Sequence, residues 1–306
     1  MTSMRDTNAN DVARAIAEER HRLGASTTGM VLTLIVLTSD ADVSEVVSAS
    51  SWAAREHPMR IIVLVPHSGR GADRIDARIS VGGLRGPGET VVLRLRGAVA
   101  AEPASVATPL LLPDTPVVAW WAGQAPAAPS LDPVGELAHR RITDTTTADD
   151  QVRTIKVQAA GYSPGDTDIA WGELTGWRAL LASALDEPYD TLHDVEILAP
   201  RDTWAAAGLL GAWLHHRLRI SVRVDLGPGP GISMVRLGTR SGDIRISRSD
   251  GKRALLSRPG RPDAVLALPH RLKQEVLAEE LRRLDADEIY AEALSALGAV
   301  RFTETS

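Results

Sequence analysis

Cysteine is absent from the 306 residues. That excludes disulfides, thiolate catalysis, zinc–thiolate sites and thiol redox switching through this chain. Lysine is nearly absent as well. Lys156, Lys252 and Lys273 are the three present, so arginine carries almost all of the positive charge. In a composition this rich in Ala and Arg, a single arginine is weak evidence of function. The net charge of −5 offers no overall basic field to nucleic acid. No uninterrupted apolar run reaches bilayer-spanning length. The opening stretch, MTSMRDTNANDVARAIAEER, lacks the apolar core of a secretory signal, so a cytoplasmic location is the default expectation. Aromatic surface is also scarce: one Phe and three Tyr stand against seven Trp.

The length predicts two domains, or one large α/β domain. The composition of Gly161-Tyr-Ser-Pro-Gly165 places the boundary there, giving an N-terminal α/β domain over 1–164 and a C-terminal α/β domain over 165–306. In the first, a helix is expected over Asp11–Leu23 and a buried strand over Met30–Leu37. A helix over Val43–Arg55 follows, capped by Ser39 or Asp40, and then a second strand over Arg60–Val65. This is a β-α-β unit, for which a right-handed crossover is expected. Strands over Ile75–Val81 and Val91–Leu95 flank a glycine-dense hairpin, Gly82–Gly88. A short helix over Pro103–Ala107, strands over Val117–Trp121 and Arg140–Thr143, and a helix over Ala148–Ala159 complete this half.

The second half has the same grammar. A helix starting at Asp168 or Thr175 runs to about Ala184. A strand over Val195–Leu198, a helix over Thr203–His216 and a strand over Arg219–Val224 form another β-α-β unit. Four antiparallel strands near Ser233–Leu237, Asp243–Ser247, Ala254–Leu256 and Ala264–Ala267 follow, then helices over His270–Leu284 and Ala286–Leu297. The fold class is therefore α/β: two domains, each a β-α-β unit extended by antiparallel strands into a mixed sheet flanked by helices. A diverged duplication and two unrelated α/β domains both fit. Matching strand orders would distinguish the first.

The chain carries few chemical motifs. His67-Ser-Gly-Arg-Gly71 follows a strand as a phosphate loop would, but the residues after it alternate like a strand, and without a helix N-terminus the anion site has no physical basis. His215 and His216 are adjacent on a helix, about 100° apart, which suits a helix C-terminus better than chelation. No G-x-S-x-G elbow occurs. Asp132, Glu136, Asp144 and Asp168 could supply carboxylates, but one sequence does not show that they converge. No catalytic residue, cofactor site or metal site is assigned.

Four of the seven tryptophans lie in two short stretches, Pro116-Val-Val-Ala-Trp120-Trp121 and Asp168-Ile-Ala-Trp171-Gly-Glu-Leu-Thr-Gly-Trp177-Arg178. Between them runs DPVGELAHRRITDT, Asp132 to Thr145. Trp is a large rigid anchor with one N–H donor, suited to core joints and to partner interfaces. The candidate contact set is Trp120, Trp121, Asp132, Arg140, Arg141, Asp144, Asp168, Trp171, Trp177 and Arg178. Padding of a junction between two domains is the alternative role for the same residues.

These three segments, with M-V-L-T-L-I-V near the start and H-P-M-R-I-I-V-L-V-P after it, resemble the OpcA family of glucose-6-phosphate dehydrogenase assembly proteins. The resemblance implies a non-enzymatic protein with one partner, glucose-6-phosphate dehydrogenase. It implies an assembly factor and allosteric activator that stabilises that enzyme's active oligomer in the oxidative pentose phosphate pathway, with no cofactor, nucleic acid or membrane involved. Cysteine-based redox control, associated with cyanobacterial members, cannot act through this chain. A sugar-phosphate enzyme of lactonase or isomerase type, or a metabolite sensor, is the alternative.

Overall fold

The computed structural model describes residues 1–24, 29–67, 69, 71–82 and 88–303. From the N-terminus, β1 (Thr2–Thr7) and α1 (Ala9–Leu23) precede the β-α-β unit β2 (Leu32–Leu37), α2 (Val43–Ala53) and β3 (Met59–His67). Then come β4 (Arg74–Val81), β5 (Glu89–Arg96), α3 (Pro103–Ala107), β6 (Val117–Trp121), α4 (Pro133–Glu136), β7 (Arg140–Thr143) and α5 (Gln151–Ala160). β8 (Asp166–Asp168), α6 (Ile169–Gly172) and α7 (Thr175–Asp186) lead to the second β-α-β unit, β9 (Leu192–Ala199), α8 (Trp204–Leu218) and β10 (Ser221–Leu226). The antiparallel strands are β11 (Met234–Thr239), β12 (Ile244–Ser247), β13 (Arg253–Ser257) and β14 (Ala264–Ala267). The chain closes with α9 (Lys273–Arg282), α10 (Glu288–Ala296) and β15 (Val300–Thr303).

The chain groups into two compact units that do not follow chain order. One holds Met1–Asp144, Gly165–Thr167 and Lys273–Ala286; the other holds Thr145–Pro164, Asp168–Leu272 and Asp287–Ser306. Helix α9 thus belongs with the N-terminal residues and packs on α2, where the His57 ring nitrogen Nε2 lies 3.1 Å from the Ala278 carbonyl oxygen.

In the first unit the eight strands run in the order β1-β4-β5-β3-β2-β6-β7-β8. The centre, β5-β3-β2-β6-β7, is parallel throughout, while β4 and β1 are antiparallel additions at one edge. Strands β2 and β6 are buried along nearly their whole length, as parallel strands covered on both faces must be. Strand β4 alternates buried and open residues, the signature of a strand with one wet face. Helix α1 buries Val12 and Ile16 against one face of the sheet. Its Asn8 cap accepts from the Asp11 N–H at 3.0 Å, and Gly24, at φ 61°, ends it in the left-handed region. A buried ion pair crosses from β3 to β5: Arg60 donates through Nε to Glu89 Oε2 at 2.7 Å and through Nη1 to the Leu110 carbonyl at 2.8 Å.

In the second unit seven strands run in the order β14-β13-β12-β11-β9-β10-β15. Here β15, β10 and β9 are parallel and β11 to β14 form an antiparallel meander. Helix α8 is buried almost all round from Trp204 to Leu214, and packs against β9, β10 and β15. The two strand orders do not superpose. In the first sheet β2 has a parallel outer neighbour, β6, whereas the equivalent neighbour of β9 is the antiparallel β11. The halves share a grammar but not a topology, and strand order does not support a duplication.

Other departures from expectation are local. β1, β8 and β15 were not anticipated: all three are edge strands, β1 mostly polar, β8 three residues long and β15 four. Asp42 takes the cap position of α2 with no side-chain hydrogen bond to the helix. Between β6 and β7 a 3-10 turn, Pro129–Leu131, leads into α4, neither of which was anticipated. β4 and β5 pair antiparallel from Arg74↔Arg96 to Val81↔Glu89, as a hairpin requires, although 83–87 at its tip lie outside the described residues.

Candidate partner interface

The tryptophan and arginine segments are built into the chain's interior. On β6, Val117, Ala119 and Trp121 join the core beneath α1 and α3, while the Trp120 side chain points to the opposite face. The indole N–H of Trp120 is buried without a hydrogen-bond partner. Asp132 caps α4, accepting from the Val134 N–H at 2.9 Å, and is half-buried. Gly135 follows for a steric reason, since a Cβ there would lie 1.7 Å from the Pro129 carbonyl oxygen. Arg140 binds the Glu280 carboxylate and donates to the Asp285 carbonyl at 2.7 Å. Arg141 binds Asp166 and donates to the Ala138 carbonyl at 3.1 Å. Asp144 lies 3.0 Å from Lys273 Nζ. Burial works against the Lys273 charge, but Asp144 and Glu45 outweigh it and hold the ammonium pKa above the ordinary lysine value.

In the second unit, Asp168 caps α6 through the Ala170 N–H at 2.8 Å and also accepts from the Thr145 N–H at 3.1 Å. Trp171 is fully buried. Its indole donates to Asp287 at 2.8 Å, its ring lies 5.6 Å from that of Tyr290, and the Arg178 guanidinium sits 3.7 Å above it. Trp177 is buried with Arg248 5.2 Å from its ring. Of the ten candidate contacts, Asp132 and Arg178 alone keep intermediate exposure; the other eight are buried and have little area to offer a partner.

The first sheet reverses its strand order between β2 and β6, the place where doubly wound folds bind ligands beyond the strand carboxyl ends. The turn leaving β2 is Thr38-Ser-Asp-Ala-Asp42. It has none of the glycines that let a backbone approach a pyrophosphate, and it puts two carboxylates where negative charge would rest. Asp40 is engaged instead with Arg94 at 2.7 Å and His67 at 3.0 Å. The expected loop beyond His67 includes Ser68 and Arg70, which lie outside the described residues; the next described element is the strand β4. His215 Nδ1 lies 2.8 Å from the Ile220 carbonyl oxygen and His216 3.8 Å from Glu292. Among the described residues, no group of three or more His, Asp or Glu is placed to hold a metal ion.

The surface that stands out is the second sheet's outer face. Alternate residues of β9 to β12 (Val195, Ile197, Val222, Val224, Val235, Leu237, Ile244 and Ile246) form the core. Their neighbours turn outward, and strand register aligns them into rows. One row reads Arg301, Arg223, Glu196, Arg236, Arg245 and Ser257. The next reads Thr303, Asp225, Leu198, Met234, Ser247, Leu255 and Val265. Four arginines cross the sheet beside a partly apolar row in which Leu255 is 39% and Val265 66% exposed.

Carboxylates organise the arginine row. Glu196 accepts from Arg223 at 2.7 Å and Arg236 at 2.9 Å, and Arg236 also binds Asp194. Partial burial raises the Asp194 and Glu196 pKa values, but the hydrogen bonds from Arg236, Arg223 and their neighbours prevail and hold both below the usual carboxylate range. Arg223 and Arg236 are raised in turn. This face sets a row of carboxylate-tied arginines, a residue type enriched at protein interfaces, beside the exposed aliphatic side chains of Leu255 and Val265. Sequence reasoning missed it: alternation marks one face of each strand as polar, but only pairing sets the arginines side by side.

Two family profiles match along the chain. One, described as the glucose-6-phosphate dehydrogenase subunit N-terminal domain, covers 50–160, and one described as that subunit's C-terminal domain covers 164–294. The chain belongs to the OpcA family. In this OpcA chain the matches cover the second β-α-β unit whole, the first from the end of α2 onward, and all three tryptophan- and arginine-bearing segments. No curated protein matches. Among solved structures, a 3-ketoreductase from Actinomadura kijaniata in complex with NADP and TDP-benzene is similar at 9% identity and a TM-score of 0.48, over 90% of this chain and 100% of its own. An oxidoreductase from Sinorhizobium meliloti gives 9% identity and a TM-score of 0.46, over 88% and 96%. An NAD-binding oxidoreductase from Klebsiella pneumoniae gives 9% and 0.42, over 89% and 96%. Likeness at this level carries no argument about activity. No helix among the described residues is long and apolar enough to cross a membrane.

Proposed function

We propose that this OpcA chain is a non-catalytic assembly factor and allosteric activator of glucose-6-phosphate dehydrogenase in the oxidative pentose phosphate pathway, and that it acts in the cytoplasm. The family match supplies the partner. The observation that carries the reading is the open face of the second sheet, with its arginine row beside Leu198, Met234, Leu255 and Val265. A protein that binds the active state of an oligomer better than the inactive one shifts the population toward it; a differential of about 1–3 kcal/mol suffices for roughly 5–150-fold. No bond needs to be made or broken by this chain. A sugar-phosphate enzyme would need an acid or base poised beside an anion-binding helix N-terminus, and the turn into α2 holds Asp40 and Asp42 instead.

The experiment titrates this protein into glucose-6-phosphate dehydrogenase at sub-saturating substrate. The expected results are a lower apparent KM for glucose 6-phosphate and co-elution of the two proteins, both lost when Leu255→Asp is combined with Arg223→Glu. An unchanged rate with no complex by light scattering rejects the proposal.

A further inference from the structure

In the first unit, α2 packs over β3, and on that face the strands beyond it present polar rows. Register sets Arg78 of β4 opposite Val92 of β5, and Ser80 opposite Thr90. Between these rows and α2 lies a groove of about 600 Å³, within the size range of small-molecule sites. Val43, Val47 and Val92 line it with apolar surface, and Trp52 adds an indole.

Three observations mark its chemistry. First, Arg55, Arg78 and Arg94 line the groove with one aspartate, Asp40, in a chain whose net charge is negative. Arg94 is held by Asp40 at 2.7 Å, whereas Arg55 and Arg78 have no acidic partner among the described residues. Second, Ser44, Ser48 and Ser51 follow one another along the lining side of α2, and Arg55 lies one turn beyond Ser51. A smaller cavity is lined by Ser51 of α2, Ser80 of β4 and Thr90 of β5. Third, Ser51 is 9% exposed and its hydroxyl has no hydrogen-bond partner. An unpaired buried hydroxyl is costly, and Ser51 is a lining residue of the groove.

We infer that this groove binds a small phosphomonoester bearing hydroxyl groups. Arg55 and Arg78 take the phosphate, because guanidinium groups match its oxygens in paired hydrogen bonds. Ser51 and Thr90 pair with ligand hydroxyls, and Trp52 offers a flat apolar face to the ring that carries them.

Isothermal titration of the full chain, without the dehydrogenase, tests this independently of the proposed activation. The probes are glucose 6-phosphate, adenosine 5′-monophosphate, inorganic phosphate and glucose. Saturable binding of a phosphomonoester is expected, with inorganic phosphate weaker and glucose silent. The tighter of the two phosphomonoesters tells a sugar phosphate from a nucleotide, and either order supports the site. Arg55→Gln combined with Arg78→Gln weakens binding by about tenfold or more, and Ser51→Ala weakens it less. Should the double variant lose its fold by circular dichroism, Arg78→Lys alone, which keeps the charge but not the paired geometry, gives the same readout. Absence of phosphomonoester binding, undiminished binding in the folded variants, or inorganic phosphate bound as tightly as the phosphomonoesters overturns the inference.

Discussion

Asp287 holds two elements of the second unit with one carboxylate. Oδ1 caps α10 by accepting from the Tyr290 N–H at 3.0 Å, while Oδ2 accepts the Trp171 indole N–H at 2.8 Å. Asp287→Ala therefore removes a cap and leaves a buried donor unpaired. A loss of about 2–4 kcal/mol is expected, read as a lower urea midpoint; an unchanged midpoint contradicts the assignment. Glu89 plays a comparable part in the first unit. Fully buried, it faces Arg60 and also lies 3.3 Å from Arg20. Glu89→Ala strands the Arg60 guanidinium inside the protein, and breaking a buried pair this way costs about 3–5 kcal/mol. Soluble yield and thermal denaturation check it. Neither role was legible in the sequence, because Arg60 and Glu89 look like surface residues until β3 and β5 pair. The tryptophans were more legible: size and scarcity marked Trp120, Trp121, Trp171 and Trp177 as anchors, and packing put all four inside.

At the scale of elements, periodicity worked best where burial is complete. β6, an apolar run, and β7 are both buried along their whole length and fall on the expected residues. Edge strands β1, β8 and β15 escaped because they are polar or only three to four residues long, too little for an apolar pattern to mark. The outer face of β9–β11 yields an acid-stability prediction. The pKa values of Asp194 and Glu196 are lowered in the folded state, so their contribution is complete above their unfolded values, about pH 4, and is lost as pH falls through the folded values. Replacing their partner by Arg236→Leu should lower the melting temperature at pH 7, and the gap to wild type should close below about pH 3. A gap that persists at pH 2 would assign it to packing instead. Within α4, Gly135→Ala forces a Cβ onto the Pro129 carbonyl, and a drop in melting temperature without lost solubility is the expected outcome.

At the scale of the whole molecule, the chain carries two separate kinds of surface: a polar groove in the first unit and an open arginine-rich sheet face in the second. If the sheet face meets the dehydrogenase, association should be steered by charge. Raising ionic strength should slow association more than it speeds dissociation, and Arg245→Glu should remove part of that salt dependence. Surface plasmon resonance across a salt series reads both, and a salt-independent association rate would move the interface elsewhere. The sequence by itself determined the α/β class, the two β-α-β units and the family, because each is written in local spacing or in the order of short segments. Tertiary structure alone decided that α9 joins the N-terminal residues, that the two sheets differ in strand order, and that Arg223, Arg236, Arg245 and Arg301 share one row. The physical reason is range. Periodicity is settled within a few residues, whereas strand neighbours and register are settled by pairings between distant segments that no local pattern encodes.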